Sequence, residues 1–349
     1  MSTLIVAHRG DSGFAPENTL AAVSAAIRQR ADYLEVDARL SADGEVVLFH
    51  DGTLARTTNA SEVYPQRAPW AIEDFTLEEL KRLDAGSWFD PAYAGERIPT
   101  LAEALDLMAG RIGLWLELKS PRQHPGLEKA VAKVLANADS RWLTAPGWCV
   151  ATGFESDSVD RFAAEVDRSV PLGQLAKSVP DDRELAAETA RVDYYLPDHR
   201  NVTVEDITRI RAAGLRAGFW TPNDPISLST LITAGAASVI TNYTELARTI
   251  AYGDYRAPAS GPMLQRLADH TVLLRNLDAE AVSLLGWRMR GDPADVLWSG
   301  TADVPVDLPA HGTLEVALDG QVTPDSIALH RPDGALADVV ARLRAPQSC

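Results

Sequence analysis

Short apolar runs alternate along this chain with stretches whose apolar positions recur every three or four residues. The runs at 4–7, 33–39, 46–49, 113–118, 148–152, 170–175, 192–196, 215–220 and 238–241 read as strands. Between them, 19–30, 101–108, 126–136, 156–166, 182–190, 203–213 and 227–234 carry helical spacing, with Asn18 or Thr19 placed to cap the first helix. Continuous apolar strands separated by helices indicate a parallel sheet buried on both faces. Eight or nine of them over about 250 residues fit an α/β fold closed as a (β/α)8 TIM-type barrel better than an open doubly wound sheet. No Gly-x-Gly-x-x-Gly follows the first run, which weakens the dinucleotide-binding alternative.

Two places break the rhythm. Ser41-Ala42-Asp43-Gly44 leaves no room for a helix between the second and third runs, and Asp43-Gly44 is a hairpin-type turn, so the barrel is expected to be irregular there. A longer insertion at about 51–100 follows, with an amphipathic helix expected over 76–83. Pro258, Gly261 and Pro262 then mark a change of character. Short strands at 271–274, 282–285, 313–318, 326–330 and 337–343, with Asp-Gly turns at 319–320 and 333–334, read as a small all-β sandwich. The expected domains are therefore a barrel at 1–255 and a β domain at 259–349. The latter resembles lamin-tail-type domains around 276–287 and 330–340, and is a candidate surface for a partner.

The second strand carries two carboxylates. Side chains alternate along an extended chain, so Glu35 and Asp37 share a face while Leu34 and Val36 take the other. Paired acids in a partly buried place repel, and a divalent cation is the usual way to keep both ionised. The alternative is an exposed edge with two solvated acids.

Charge and cysteine content narrow the field. The 349 residues hold 33 Lys+Arg against 49 Asp+Glu, a net charge of -16, which argues against nucleic acid or an anionic membrane as the main partner. With only Cys149 and Cys349, neither a disulfide framework nor a thiolate metal site is implied, so any metal must use oxygen or imidazole. No signal-type segment and no run approaching the roughly 20 apolar residues of a membrane span is evident, so the chain reads as soluble and cytoplasmic.

Polar residues gather where a barrel enzyme keeps its chemistry, at the C-terminal ends of the strands. The first run ends in His8-Arg9-Gly10, the second carries Glu35 and Asp37, the third ends in His50-Asp51 and the fourth in Glu117-Leu118-Lys119. Three carboxylates suit Mg²⁺ or Ca²⁺. Arg9 and Lys119 supply charge for an anion, and two imidazoles can serve as base and acid near neutral pH. Metal, cations and paired imidazoles together describe phosphoryl transfer.

These motifs, with Glu17-Asn18-Thr19, Arg39, Thr53-Leu54-x-Arg56, Trp220-Thr221 and Thr241-Asn242, make residues 4–250 resemble the glycerophosphodiester phosphodiesterase family. The resemblance implies that Glu35, Asp37 and Glu117 bind the metal and that His8 and His50 are the catalytic pair. It assigns Arg9 and Lys119 to the phosphate, with Glu17 near the site and Trp220 as a wall for glycerol. The implied reaction yields glycerol 3-phosphate and an alcohol through a cyclic phosphate, in lipid and glycerol metabolism. Two alternatives stand beside it: a phospholipase-D-like hydrolase of lysophospholipids or sphingomyelin, and a silent barrel acting as a binding module. Glu17 could instead favour the following helix N-terminus, Lys119 could be a plain salt bridge, and Trp220 could be core. His124, His199, His270, His311 and His330 read as structural or surface residues. The chain departs from the family pattern at Gly153-Phe154, where serine is common, and at Tyr243-Thr244, where a proline often follows the Thr-Asn pair.

Overall fold

The computed structural model describes residues 2–255, 259–268, 271–291, 296–299, 307–318, 326–332 and 335–341. The expected turns at 319–320 and 333–334, His270 and Cys349 lie outside them. Two compact units divide the chain: the barrel, and a C-terminal unit that begins at Tyr252 and takes in Asn223–Leu228.

The barrel strands are β1 (Leu4–Ala7), β2 (Tyr33–Leu40), β3 (Val46–Leu48), β4 (Gly113–Leu118), β5 (Cys149–Gly153), β6 (Leu172–Ala176), β7 (Tyr194–Pro197), β8 (Arg216–Trp220) and β9 (Ser238–Thr241). Parallel pairing runs β1-β2-β4-β5-β6-β7-β8-β9 and returns to β1, closing an eight-stranded ring. β3 is not in it. It lies antiparallel to the outer end of β2, Leu40 opposite Val46 and Ala38 opposite Leu48, after a tight turn in which Gly44 takes a φ of 82°. This reversal is the irregularity expected between the second and third apolar runs. A parallel neighbour needs a crossover connection of a dozen or more residues, and Ser41 to Glu45 can only fold the chain back on itself.

The detour has a use. Because β3 runs backwards, its end returns to the level of Asp37, where Phe49 N–H donates to the Asp37 carbonyl (2.9 Å). The insertion then packs its own core of Val47, Phe49, Leu54, Ile72, Phe75, Leu80, Leu83 and Ile98. Its helix is shorter than the 76–83 expected. A capping box between Thr76 and Glu79 starts it, and it spans only Leu77–Leu80. Leu83 N–H then bonds Leu80 O (3.1 Å), and this tighter turn buries both leucines without a further helical turn.

Helices Leu20–Arg28, Leu127–Ala138, Ser156–Glu165, Asp182–Glu188, Val204–Ala212, Pro225–Thr233 and Thr244–Ala251 connect successive elements of the ring, with Leu101–Met108 leading into β4. Thr19, not Asn18, caps the first, accepting from Ala22 N–H. Inside the ring Trp115 is the plug, its ring meeting Tyr33 edge-on at 5.6 Å and Tyr194 at 5.0 Å. Glycines make room for large neighbours: a Cβ on Gly113 would lie 2.5 Å from the Tyr33 ring, and one on Gly218 2.6 Å from Leu196. Val6, Val150, Leu175, Leu196 and Ile240 complete this core.

Among the described residues from 259 onward, strands form antiparallel sheets of three, two and four, over a core of Leu264, Val272, Leu274, Leu284, Trp287, Met289, Val316, Ile327 and Leu329. Among the described residues no helix is long and apolar enough to cross a membrane.

Two outcomes follow from this packing. Trp115→Ala removes the plug from an interior that rigid neighbouring strands keep from collapsing, and is expected to cost about 3–5 kcal/mol, measured from denaturant midpoints. Cys149 is fully buried and its thiol is pushed up to about 12 by that burial. In a Cys349→Ser variant a thiol reagent should therefore label nothing until the barrel unfolds, and fast labelling of the native protein would contradict this packing.

Candidate active site

After β1 the chain turns sharply over the barrel mouth. His8 N–H still donates to Thr241 O (2.9 Å), Arg9 takes a φ of 52° and Gly10 one of 85°. A Cβ on Gly10 would sit 2.5 Å from that of Ala22, so the position admits only glycine. The turn aims Arg9 N–H at Glu35 Oε2 (2.7 Å) and Gly10 N–H at Glu35 O (3.1 Å).

Glu35 and Asp37 on β2 stand beside Trp115 and Glu117 on β4, Asp37 directly opposite Glu117. One oxygen from each of Glu35, Asp37 and Glu117 lies within 4.8 Å of the others, and all three residues are buried. The expectation of two acids on one face of the strand is met, and the solvated-edge alternative is not. Burial, with Asp37 and Glu117 adding to it, pushes the Glu35 carboxyl well above its ordinary value. Burial also raises Glu117, with Asp37 adding and Lys119 opposing. Asp37 is held far below the usual carboxylate range in spite of burial, by Lys119, His50, Arg9 and a hydrogen bond from Asn18. Without further positive charge the trio does not hold three negative charges. Its oxygen donors and its unmet charge fit a hard divalent cation, of which all three carboxylates would be ligands.

The cations are already engaged. Lys119 Nζ lies 2.8 Å from Glu117 Oε1 and 3.4 Å from Asp37 Oδ1. Arg9 bridges Glu17 Oε1 (3.0 Å) and Asp37 Oδ2 (3.4 Å). Glu17 does not serve the helix N-terminus: burial opposes its ionisation, but Arg9 and Arg56 hold it down at about 2. Arg56 from the insertion forks between Glu17 (2.7 and 3.0 Å) and Asp51 (2.7 and 3.1 Å).

The two imidazoles sit in opposite surroundings. His8 Nδ1 donates to Asn242 Oδ1 (2.6 Å), an oxygen that also accepts from Ser12. Burial, with Arg9 adding to it, lowers His8 to about 3, so it is neutral, with Nδ1 protonated and Nε2 free of a proton. His50 Nδ1 bonds the Asp51 carboxylate (2.6 Å), and the His50 carbonyl accepts from Arg39 (2.7 and 3.1 Å). Trp220 is half-buried, packing against the barrel core, donating Nε1–H to Leu196 O (2.8 Å) and meeting Phe154 edge-on at 5.5 Å. Of the histidines read as structural, His124 is buried beside Arg39 (3.1 Å) and His199 bonds the Trp220 carbonyl (3.2 Å).

Four residues that the sequence gives no part in the site hold its members in place. Asn18 grips Asp37 twice, Nδ2 donating to Oδ2 (2.8 Å) and Oδ1 accepting the backbone N–H (3.2 Å). Asn242, Asp51 and Arg56 orient the imidazoles and their partners. All four stand within the motifs quoted above, yet only contacts reveal what each holds. At Tyr243, where the family pattern has proline, the ring closes on Gly13 and meets Phe14 edge-on at 5.9 Å.

Residues 8–246 match the Glycerophosphoryl diester phosphodiesterase family. A glycerophosphodiester phosphodiesterase of Bacillus subtilis (strain 168) is 32% identical over 267 residues, 72% of this chain and 87% of the relative. Another, from Caldanaerobacter subterraneus subsp. tengcongensis, is 32% identical over 250 residues, covering 70% of this chain and 96% of the relative. Among solved structures, an Oleispira antarctica phosphodiesterase in complex with the product sn-glycerol-3-phosphate matches at a TM-score of 0.63 and 30% identity, over 71% of this chain and 96% of that one. The family match ends before the C-terminal β unit begins. On the barrel that it covers, the chain belongs to the glycerophosphoryl diester phosphodiesterase family, a family of phosphoric diester hydrolases.

Proposed function

We propose that this enzyme splits water-soluble glycerophosphodiesters into glycerol 3-phosphate and an alcohol, with His8 as the general base and His50 as the general acid. One observation carries the reading: both imidazoles are tethered through Nδ1, but to unlike partners, a neutral carboxamide at His8 and a carboxylate at His50. Each leaves Nε2 for the substrate.

His8 is held neutral, so its Nε2 can take the proton of the glycerol hydroxyl next to the phosphoester as that oxygen attacks phosphorus. His50 Nε2–H gives its proton to the departing alcohol oxygen, and Asp51 stabilises the imidazolium that must carry it. The products are a five-membered cyclic phosphate and the free alcohol. Water then opens the ring with the two roles exchanged. Arg9 and Lys119 are the cations for the phosphate, and the ion pair from Glu17 supports this by fixing Arg9. Trp220 walls the glycerol.

Divalent-metal use is general to the family, and Glu35, Asp37 and Glu117 would hold Mg²⁺ or Ca²⁺ here. When bound, the ion supplies positive charge for the phosphate oxygens and the attacking hydroxyl. The product in the Oleispira complex is the one this reading expects. We infer a cytoplasmic enzyme that acts on head-group diesters left by lipid turnover.

A panel of glycerophosphocholine, glycerophosphoethanolamine and a lysophospholipid, with and without chelator, tests substrate and metal together; activity confined to the lipid would sink the proposal. His50→Ala is expected to lower kcat on glycerophosphocholine by about 10²–10⁴-fold. Glu35→Gln should lose activity and also lose any rise of Tm on adding Mg²⁺ or Ca²⁺, while the metal-free variant melts no lower than the parent, since one buried repulsion is relieved. A metal-induced Tm rise that survives the substitution contradicts the ligand role.

A further inference from the structure

The insertion reaches the site through one side chain. Arg56 is half-buried, and its guanidinium pairs both edges with carboxylates: Nε and Nη2 with Asp51 (2.7 and 3.1 Å), Nη1 and Nη2 with Glu17 (3.0 and 2.7 Å). Asp51 in turn receives His50 Nδ1–H at 2.6 Å. The fork geometry of guanidinium fixes direction as well as charge, which a lysine ammonium does not.

We propose that Arg56 is the positioning residue of the general acid: it holds Asp51 in the one orientation that aims His50 Nε2 at the leaving-group oxygen. Asp51 follows His50 directly, is partly exposed, and has no other cation among the described ion pairs. Once Arg56 is gone, nothing charged keeps that carboxylate on the ring nitrogen, and water competes for both. The role is distinct from binding phosphate, because both edges of the guanidinium are filled by protein. A purely structural role, pinning the insertion to the barrel through Glu17, is the alternative that the test must exclude.

The inference rests on the assignment of His50 as acid, so the experiment separates the two. Alcohol release is followed for the parent, His50→Ala and Arg56→Gln on two substrates: glycerophosphocholine, whose choline alkoxide needs a proton, and glycerophospho-p-nitrophenol, whose nitrophenolate leaves without one. If His50 is the acid, His50→Ala loses far less on the nitrophenyl diester than on the choline diester; equal losses overturn that reading and the inference with it. Given that pattern, Arg56→Gln is expected to lower kcat about 10–100-fold on glycerophosphocholine and no more than about 3-fold on the nitrophenyl diester, with little change in KM. Equal losses on both substrates, or a raised KM with kcat intact, while His50→Ala keeps its leaving-group pattern, overturn the role of Arg56 alone. Should Arg56→Gln melt early, Arg56→Lys and Asp51→Asn carry the same comparison, each expected to share the leaving-group dependence and refuting the inference if it does not.

Discussion

Three carboxylates crowded into one buried place determine most of what surrounds them. Glu35, Asp37 and Glu117 lie too close to ionise together unaided, and the barrel compensates them with whatever it can bring near: Lys119, the Arg9 side chain and N–H, and the Asn18 carboxamide. Each compensating group needs its own support. Arg9 is fixed by Glu17, Glu17 by Arg56, and Arg56 by Asp51, so the charge of the centre is balanced through a chain of alternating partners that ends at His50. Ionic groups buried in this way are weak contributors to stability. Their arrangement follows from what the centre must bind, and the folding energy comes from the Trp115 plug, the helices around the ring and the separate core of the insertion.

The same arrangement sorts the two histidines. His8 emerges from a strand end, deep in the mouth and beside a guanidinium, and stays neutral. His50 arrives on a backward-running strand and meets a carboxylate. The sequence offers two equivalent imidazoles at strand ends; only their surroundings distinguish them, a carboxamide at His8 and a carboxylate at His50.

Much of this was legible in the chain. Apolar runs place all eight ring strands to within about two residues, because strands covered on two sides read as continuous runs bounded by helical spacing. The period of two puts Glu35 and Asp37 on one face whatever the fold. What was hidden depends on partners distant in sequence. Nothing in Val46–Leu48 itself says that it pairs antiparallel outside the ring; that follows from the five-residue turn before it. Asn18 reads equally well as a helix cap, and only the approach of Asp37 decides against it. Arg56 was visible as a motif letter without a function, since two carboxylates 5 and 39 residues away define its place.

The backward strand has one more consequence. His50 is carried by chain whose packing belongs to the insertion, whereas His8 and the three acids belong to the ring. Segments with separate cores open with separate free energies. Warming should therefore inactivate the enzyme in advance of its main unfolding transition, as His50 drifts off while the ring that carries His8 and the three acids stays closed.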